Sequence, residues 1–447
     1  MKNITILILT IILSFGTLAQ ESFSALLPDM ATDGIVRGDI NGQFVVSYCK
    51  VNNIGRFTLA DMSSVHGYQL VDPKWDILDF QIVGDTIVFC GTITETCYSP
   101  DPPGWVYCKR GIIGFFEISD FQHNTGRIYN AFLDNTVMRF KKVAALNSNT
   151  CLYAIGEQDI QTPIIFNGNV IGYYTGHATC VYVVDGWTNI PTPNTFSVTK
   201  YGITGVDLTD LSATDNYVVA VGDSVGNSTS MGLYLARFSG TPNIDEERYY
   251  KMKDEPLSDY HSIGINDDHV FVSCLAGVSE AFSTNIHVVD LNSMYMVNSQ
   301  QMPLENKAEP SELAHILQDN TVVMQQYMPL PSNPTTYKSL HIRIDPFQTT
   351  MYNTFGFYHS VHEHSSVGSM AGKYAIGFNG FHWIAKNMMV PNATICYKIE
   401  NIRVNPMESV LPEPVNWLYD DYKWHDYLQP NPSYSPIPNI DVYCTNQ

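Results

Sequence analysis

The sequence predicts an all-β fold made of seven similar antiparallel sheets, and three observations predict it. A short run of β-branched and aromatic residues recurs seven times along the 447 residues. Each copy follows turn chemistry rich in Asn, Asp and Gly. The composition also suits sheets. The chain holds 27 Tyr and 21 Phe, and its 15% charged residues are too few for a disordered chain or a helical solenoid.

The recurring runs are Phe44-Val45-Val46-Ser47, Ile87-Val88-Phe89-Cys90, Cys151-Leu152-Tyr153-Ala154, Tyr217-Val218-Val219-Ala220, Val270-Phe271-Val272-Ser273, Val322-Val323-Met324-Gln325 and Tyr374-Ala375-Ile376-Gly377. Their first residues lie 43, 64, 66, 53, 52 and 52 positions apart. A second strand pattern follows each run and often ends at an acid, as in 114–118 before Asp120, 181–184 before Asp185, 286–289 before Asp290, 340–344 before Asp345 and 394–399 before Glu400. An apolar run precedes several copies, such as 77–83 and 203–208. Each unit of about 50 residues therefore holds three strands, with room for a fourth. One such sheet cannot bury both of its faces, whereas seven stacked around an axis can, and the stacking also protects their edges. The expected fold is a seven-bladed β-propeller of four-stranded antiparallel blades. Residues 157–179 extend a hairpin of the third unit, an insertion that costs little loop entropy. Residues 22–27 are placed to donate a ring-closing strand to the last blade.

The two ends of the chain differ from the repeats. Lys2 precedes an apolar run at 4–15, and Gly16-Thr17-Leu18-Ala19 supplies small residues for cleavage after Ala19. That pattern predicts a signal peptide at 1–19 and a secreted protein. No stretch reaches the roughly 20 apolar residues of a transmembrane helix. The propeller is expected over 20–402, followed by a tail over 403–447 that holds 7 of the 24 prolines. Proline at this density forbids regular structure. The tail is expected to run extended, with Trp417, Tyr419, Tyr422, Trp424 and Tyr427 docking on the propeller flank or forming a stacking surface for sugars or a partner. Of nine cysteines, Cys97 and Cys108 flank a Pro/Gly-rich loop and are expected to form a disulfide. Most of the others lie in apolar strand patterns and read as small buried hydrophobes. The formal charge of −20 excludes nucleic acid as a partner.

Over residues 22–402 the chain resembles the seven-bladed propeller superfamily by architecture, without WD dipeptides, kelch glycine pairs or Asp boxes. The resemblance implies that the first strand of each blade lines a central channel and begins at the mouth where ligands bind. The charged or imidazole residues 7 to 10 positions ahead of the seven runs are Arg37, Asp79, Lys142, Asp207, His261, His315 and His364. They form the expected ligand-binding ring. Ten of 13 histidines lie at or beyond residue 261, and three crowd into His359-Ser360-Val361-His362-Glu363-His364. His315, His362 and His364 with an open position would hold Zn or Mn. Alternatively His261, His315 or His364 would be the catalytic group, paired with Tyr260 or Tyr358 as base and acid in β-elimination from a uronic acid. The HxH pair is similar to that of one group of propeller polysaccharide lyases. The plainer expectation is that these imidazoles bond to backbone in a polar, wet channel.

Other patterns carry less. Gly222-Asp223-Ser224-Val225-Gly226 matches a nucleophile elbow, but a strand follows it where the elbow needs a helix. No Walker loop, dinucleotide fingerprint, HExxH or EF-hand loop occurs. His287 and His341 hold matching strand positions and are expected to pack. The sequence thus predicts a secreted, monomeric binding or interaction module for a protein or carbohydrate ligand. The competing class is a carbohydrate-active lyase or hydrolase built on His261, His315, His362 and His364.

Overall fold

A computed structural model describes strands and short turns between residues 22 and 406. Residues 1–21 and 407–447 lie outside the described residues, as do 27–34, 39–43, 61–64, 122–129, 147–150, 188–196, 203–205, 225–231, 252–260, 304–311, 317–321, 348–351, 362–365, 387–397 and several shorter connections. Side-chain surroundings are described chiefly for residues 44–303. The expected signal peptide and the aromatic part of the tail therefore fall outside the description.

The chain is all-β, and its strands form small antiparallel sheets that fit a propeller-like fold. The first sheet joins Ile35–Gly38, Val45–Val51, Ile54–Ala60 and Val65–Val71. The second joins Trp75–Val83, Thr86–Pro100, Pro103–Glu117 and Asn130–Asp134. Arg139–Ala145, Cys151–Phe166, Asn169–Asp185 and Ser197–Gly202 make the third. The fourth holds Val206–Ala213, Val218–Ser224, Gly232–Phe238 and Glu246–Lys251. The fifth begins His261–Ile265, His269–Val278, Ala281–Asp290 and Met296–Pro303, and the sixth begins Glu312–Ile316, Val322–Leu330, Asn333–Ile344 and Tyr352–Val361. Ser366–Met370, Lys373–Phe378 and Phe381–Lys386 start the seventh.

The fourth strand of the seventh sheet comes from the other end of the chain. Ser22–Leu26 pairs antiparallel with Phe381–Lys386, Ser22 opposite Ala385 and Leu26 opposite Phe381. The first strands of successive sheets lie against one another in order, and that of the seventh lies against that of the first.

Beyond the seventh sheet the chain departs from its expected course. The segment read as a repeat strand at 394–399 does not complete that sheet. Lys398–Ile402 instead adds a fifth strand to the sixth sheet, beside Tyr352–Val361, and Asn405–Pro406 adds one to the fifth, beside Met296–Pro303. The edge position in the seventh sheet was already filled by the N-terminal strand, so the returning chain pairs with the open edges of the two preceding sheets.

The core lies between the sheets, and strand periodicity puts it there. In the second sheet, Ile87 and Phe89 pack toward the first sheet while Val88 and Cys90 pack toward the third. Cys151, Tyr153 and Ile155 face the fourth sheet, and Leu152 and Ala154 face the second. Val218 and Ala220 face the third sheet, and Val219 and Val221 face the fifth. A strand buried on both sides reads as an unbroken apolar run, which is why these segments stand out in the sequence. Fully burying each large side chain, such as Phe57, Phe80, Phe89 or Phe116, stabilises by about 1.5–3 kcal/mol. Cys49, Cys90, Cys151, Cys180 and Cys274 are buried within these layers, as expected.

Candidate functional site

A single local irregularity positions the charged groups on the first strands. In the second, third, fourth and sixth sheets the register between first and second strand slips by one residue, between Ile77 and Asp79, Phe140 and Lys142, Leu208 and Asp210, and Leu313 and His315. A bulge of this kind re-aims the next side chain and bends the strand. In three of these sheets a glycine sits directly opposite the bulge: Gly91 across from Ile77, Gly156 from Phe140, and Gly222 from Leu208. A methyl group on Gly91 would fall on the Asp76 carbonyl oxygen, and one on Gly222 would lie 2.6 Å from the Asp207 carbonyl oxygen. Only glycine permits that approach.

The residues after the bulges link neighbouring sheets. Arg37 of the first sheet donates to Asp79 Oδ1 of the second at 2.6 Å, and Asp79 Oδ2 accepts the Val143 amide of the third at 3.1 Å. Two sheets further on the motif repeats. Lys142 Nζ of the third sheet lies 3.2 Å from Asp210 Oδ1 of the fourth, and Asp210 Oδ2 accepts the Ile263 amide of the fifth at 3.0 Å. Each carboxylate is thus a relay, taking a cation from the preceding sheet and a backbone amide from the following one. Gln81 adds a parallel tie, accepting the Ala145 amide at 2.8 Å. Asp79 and Asp210 are 5% and 8% exposed, so their oxygens find their hydrogen-bond partners in these groups rather than in water.

Near the same end of the third sheet stands a second charged cluster. Arg139 donates twice to Glu157, at 2.9 and 3.1 Å, and Lys141 pairs with the same carboxylate at 2.9 Å. Burial pushes the Glu157 carboxyl up, but the Lys141 ammonium and the Arg139 guanidinium outweigh it and hold the group below the usual glutamate value. Burial, followed by the Asp185 carboxylate, pushes Cys151 up to about 12, and burial raises Cys90 well above the ordinary range.

The expected site residues are placed as follows. Arg37, Asp79, Lys142, Asp207, His261 and His315 all stand on first strands, of the first to sixth sheets in turn. The structure brings Arg37 to Asp79 but does not bring Lys142 to Asp207. Asp207 is half exposed and only 3.9 Å from Lys141, and its place in the relay is taken by Asp210. The strands carrying His261 and His315 lie against each other, while the surroundings of both imidazoles, and the positions of His362, His364 and Tyr260, fall outside the described residues. Among the described residues no group of three His, Cys, Asp or Glu is placed to hold a metal ion. His287 is fully buried, with Nδ1 2.7 Å from Ser299 Oγ and Nε2 3.4 Å from Cys274 Sγ, which is the packing role expected of it. Ser224 ends a strand whose partner, Gly232–Phe238, is again a strand, so the elbow pattern lies in a β-hairpin.

Sequence reasoning missed Asp210, Gln81 and Glu157. Asp210 carried a signal, because it stands 7 residues before Tyr217, as Arg37 stands 7 before Phe44. Glu157 carried none, since its partners come from the opposite strand.

The disulfide between Cys97 and Cys108 is present, with Cα atoms 5.9 Å apart. It crosses the hairpin of the second sheet, where residues 94–100 and 103–109 pair with each other as an arm beyond the sheet, anchored at its base by the Thr94 amide donating to the Lys74 carbonyl at 3.0 Å. The third sheet carries a like arm, 158–166 paired with 169–178. Both arms leave their sheets at the end where the first strands begin.

No protein-family model and no curated protein matches the chain. Solved structures with a similar course include cobalt-substituted apocarotenoid oxygenase from Synechocystis, at 10% identity over 62% of this chain and TM-score 0.35. The chain spans 62% of the length of that oxygenase chain. An uncharacterized protein, lmo1340 of Listeria monocytogenes, aligns at 10% identity over 80% of this chain and 93% of its own, with TM-score 0.40. A GH32 beta-fructofuranosidase of Bombyx mori in complex with sucrose aligns at 9% identity over 86% and 94%, with TM-score 0.30. Among the described residues no helix is long and apolar enough to cross a membrane.

Proposed function

We propose that the sheets are the blades of a closed seven-bladed propeller over 20–402, secreted after cleavage behind Ala19, and that the molecule is a binding module for a protein or glycan. The ligand would sit at the end where the first strands begin. The observation that carries this reading is the relay of Arg37, Asp79, Lys142 and Asp210, which turns ionisable groups into ties between sheets. A scaffold tied in this way is rigid, and the two arms rise from it at one end, which suits recognition. The test is hydrogen exchange on the mature chain with a ligand selected from extracellular protein and glycan arrays. Protection is expected around 35–38, 139–145 and 261–265. Protection confined to the outer strands 65–71 and 246–251 would contradict the reading.

A second reading is a carbohydrate-active lyase or hydrolase that uses His261, His315, His362 and His364, with Zn or Mn as its metal. It is favoured by the adjacency of the strands that carry His261 and His315. Metal analysis and turnover of uronate polymers before and after chelation test it. Metal-free protein without turnover would remove it.

A further inference from the structure

The arm of the second sheet exposes what a folded surface usually hides. Trp105 is 74% exposed and Tyr107 84%, and Lys109 is exposed in the same alternation. Side chains two apart on a strand share a face, so Trp105, Tyr107 and Lys109 form a row spaced at about 7 Å. The ladder sets Tyr98, Thr96 and Thr94 opposite them on the neighbouring strand. The other face carries Cys97, Cys108, Val106 and the ion pair of Glu95 with Arg110 at 3.3 Å. A two-stranded arm is marginal alone. Here a disulfide staples it from behind, and Pro100 pairs with Pro103 at its tip, so the aromatic row is presented already ordered.

We propose that this row is a docking strip for an acidic oligosaccharide, with sugar rings stacked on Trp105 and Tyr107 and a uronate carboxylate on Lys109. Three arguments select that occupant. The first is area: two aromatic side chains offer about 150–250 Å² each, short of the roughly 800 Å² per partner that a stable protein interface needs. The second is chemistry, because the C–H face of a sugar ring is apolar and slightly positive and meets the negative face of an aromatic ring, while its rim hydroxyls meet the threonines. The third is charge: Lys109 is exposed on the same face at the end of the aromatic row, and its ammonium is a local partner for one carboxylate. The strip stands on an arm that rises at the end where the first strands begin, but it shares no residue with Arg37, Asp79, Lys142 or Asp210, so its test reads it apart from the ligand site proposed there.

The test uses the mature chain with tetragalacturonate and its neutral methyl ester, followed by calorimetry. The wild type should bind the acid form more tightly than the ester, with the preference fading at high salt. Trp105→Ala with Tyr107→Ala should weaken both at least tenfold without moving the thermal midpoint, since both side chains are exposed. Lys109→Gln should erase the preference for the acid form while keeping binding of the ester. Binding of neither sugar by the wild type, or unchanged binding by the double variant, would overturn the proposal. Concentration-dependent self-association that the double variant abolishes would overturn it too, in favour of a second copy as the occupant.

Discussion

Asp79, Asp210 and Asp207 are three aspartates on first strands with two different fates. Asp79 and Asp210 each satisfy a cation and a backbone amide of two different sheets, and neither is open to water. Removing either leaves a buried amide and a partly buried cation without their acceptor. Because Arg37 and Lys142 remain about one-third exposed, water recovers part of the loss. Asp79→Ala or Asp210→Ala should therefore cost about 2–3 kcal/mol in urea unfolding, whereas Asp207→Ala should stay within about 0.5 kcal/mol. Equal losses at all three positions would refute the relay.

At the scale of the strand, the bulge and its facing glycine form one device used in three sheets. The bulge turns the next charged side chain toward the neighbouring sheet, and the glycine makes room, for displaced backbone at Gly91 and Gly222 and for the Tyr182 and Phe140 rings at Gly156. This accounts for the first glycine of Gly222-Asp223-Ser224-Val225-Gly226 without any catalytic role. Gly91→Ala and Gly222→Ala should each lower stability by about 2–3 kcal/mol or more, because the added methyl meets backbone that cannot step aside. Gly104→Ala, where a methyl would meet nothing, is the control and should leave the thermal midpoint in place. A midpoint unmoved by Gly222→Ala would contradict the account. The apolar runs were legible at this scale because period 2 on a strand buried on both faces leaves no polar positions. The bulges were not, because one extra residue in a strand looks like any other residue of the strand.

For the whole molecule, the decisive contact is between the two ends of the chain. Ser22–Leu26 completes the seventh sheet, whose other three strands come from residues 366–386. A chain beginning at Pro28 would leave Phe381–Lys386 as an open edge and lose a five-residue ladder. At about 1 kcal/mol per hydrogen bond, the loss should be about 3–5 kcal/mol relative to a chain beginning at Gln20, measured by urea unfolding. Identical unfolding of the two chains would show that the strand does not hold the structure closed. The expected donor strand at 22–27 was legible because it is a strand pattern left over before the first full repeat. The return of Lys398–Ile402 and Asn405–Pro406 to the sixth and fifth sheets was not legible. It depends on which edges remain open, which is a property of the assembled sheets.

By itself the sequence determined the all-β class, the recurring apolar strands, the donor strand at the N-terminus and the Cys97–Cys108 bridge. Each of these follows from local chemistry: strand periodicity, turn residues and the short loop between two cysteines. Tertiary structure decided that Asp210, not Asp207, receives Lys142, that Glu157 gathers Arg139 and Lys141, and that the face shared by Trp105, Tyr107 and Lys109 is an exposed one. The physical reason is register. A one-residue slip, or the pairing of one particular strand with another, chooses which side chains meet, and no single strand carries that choice in its own residues.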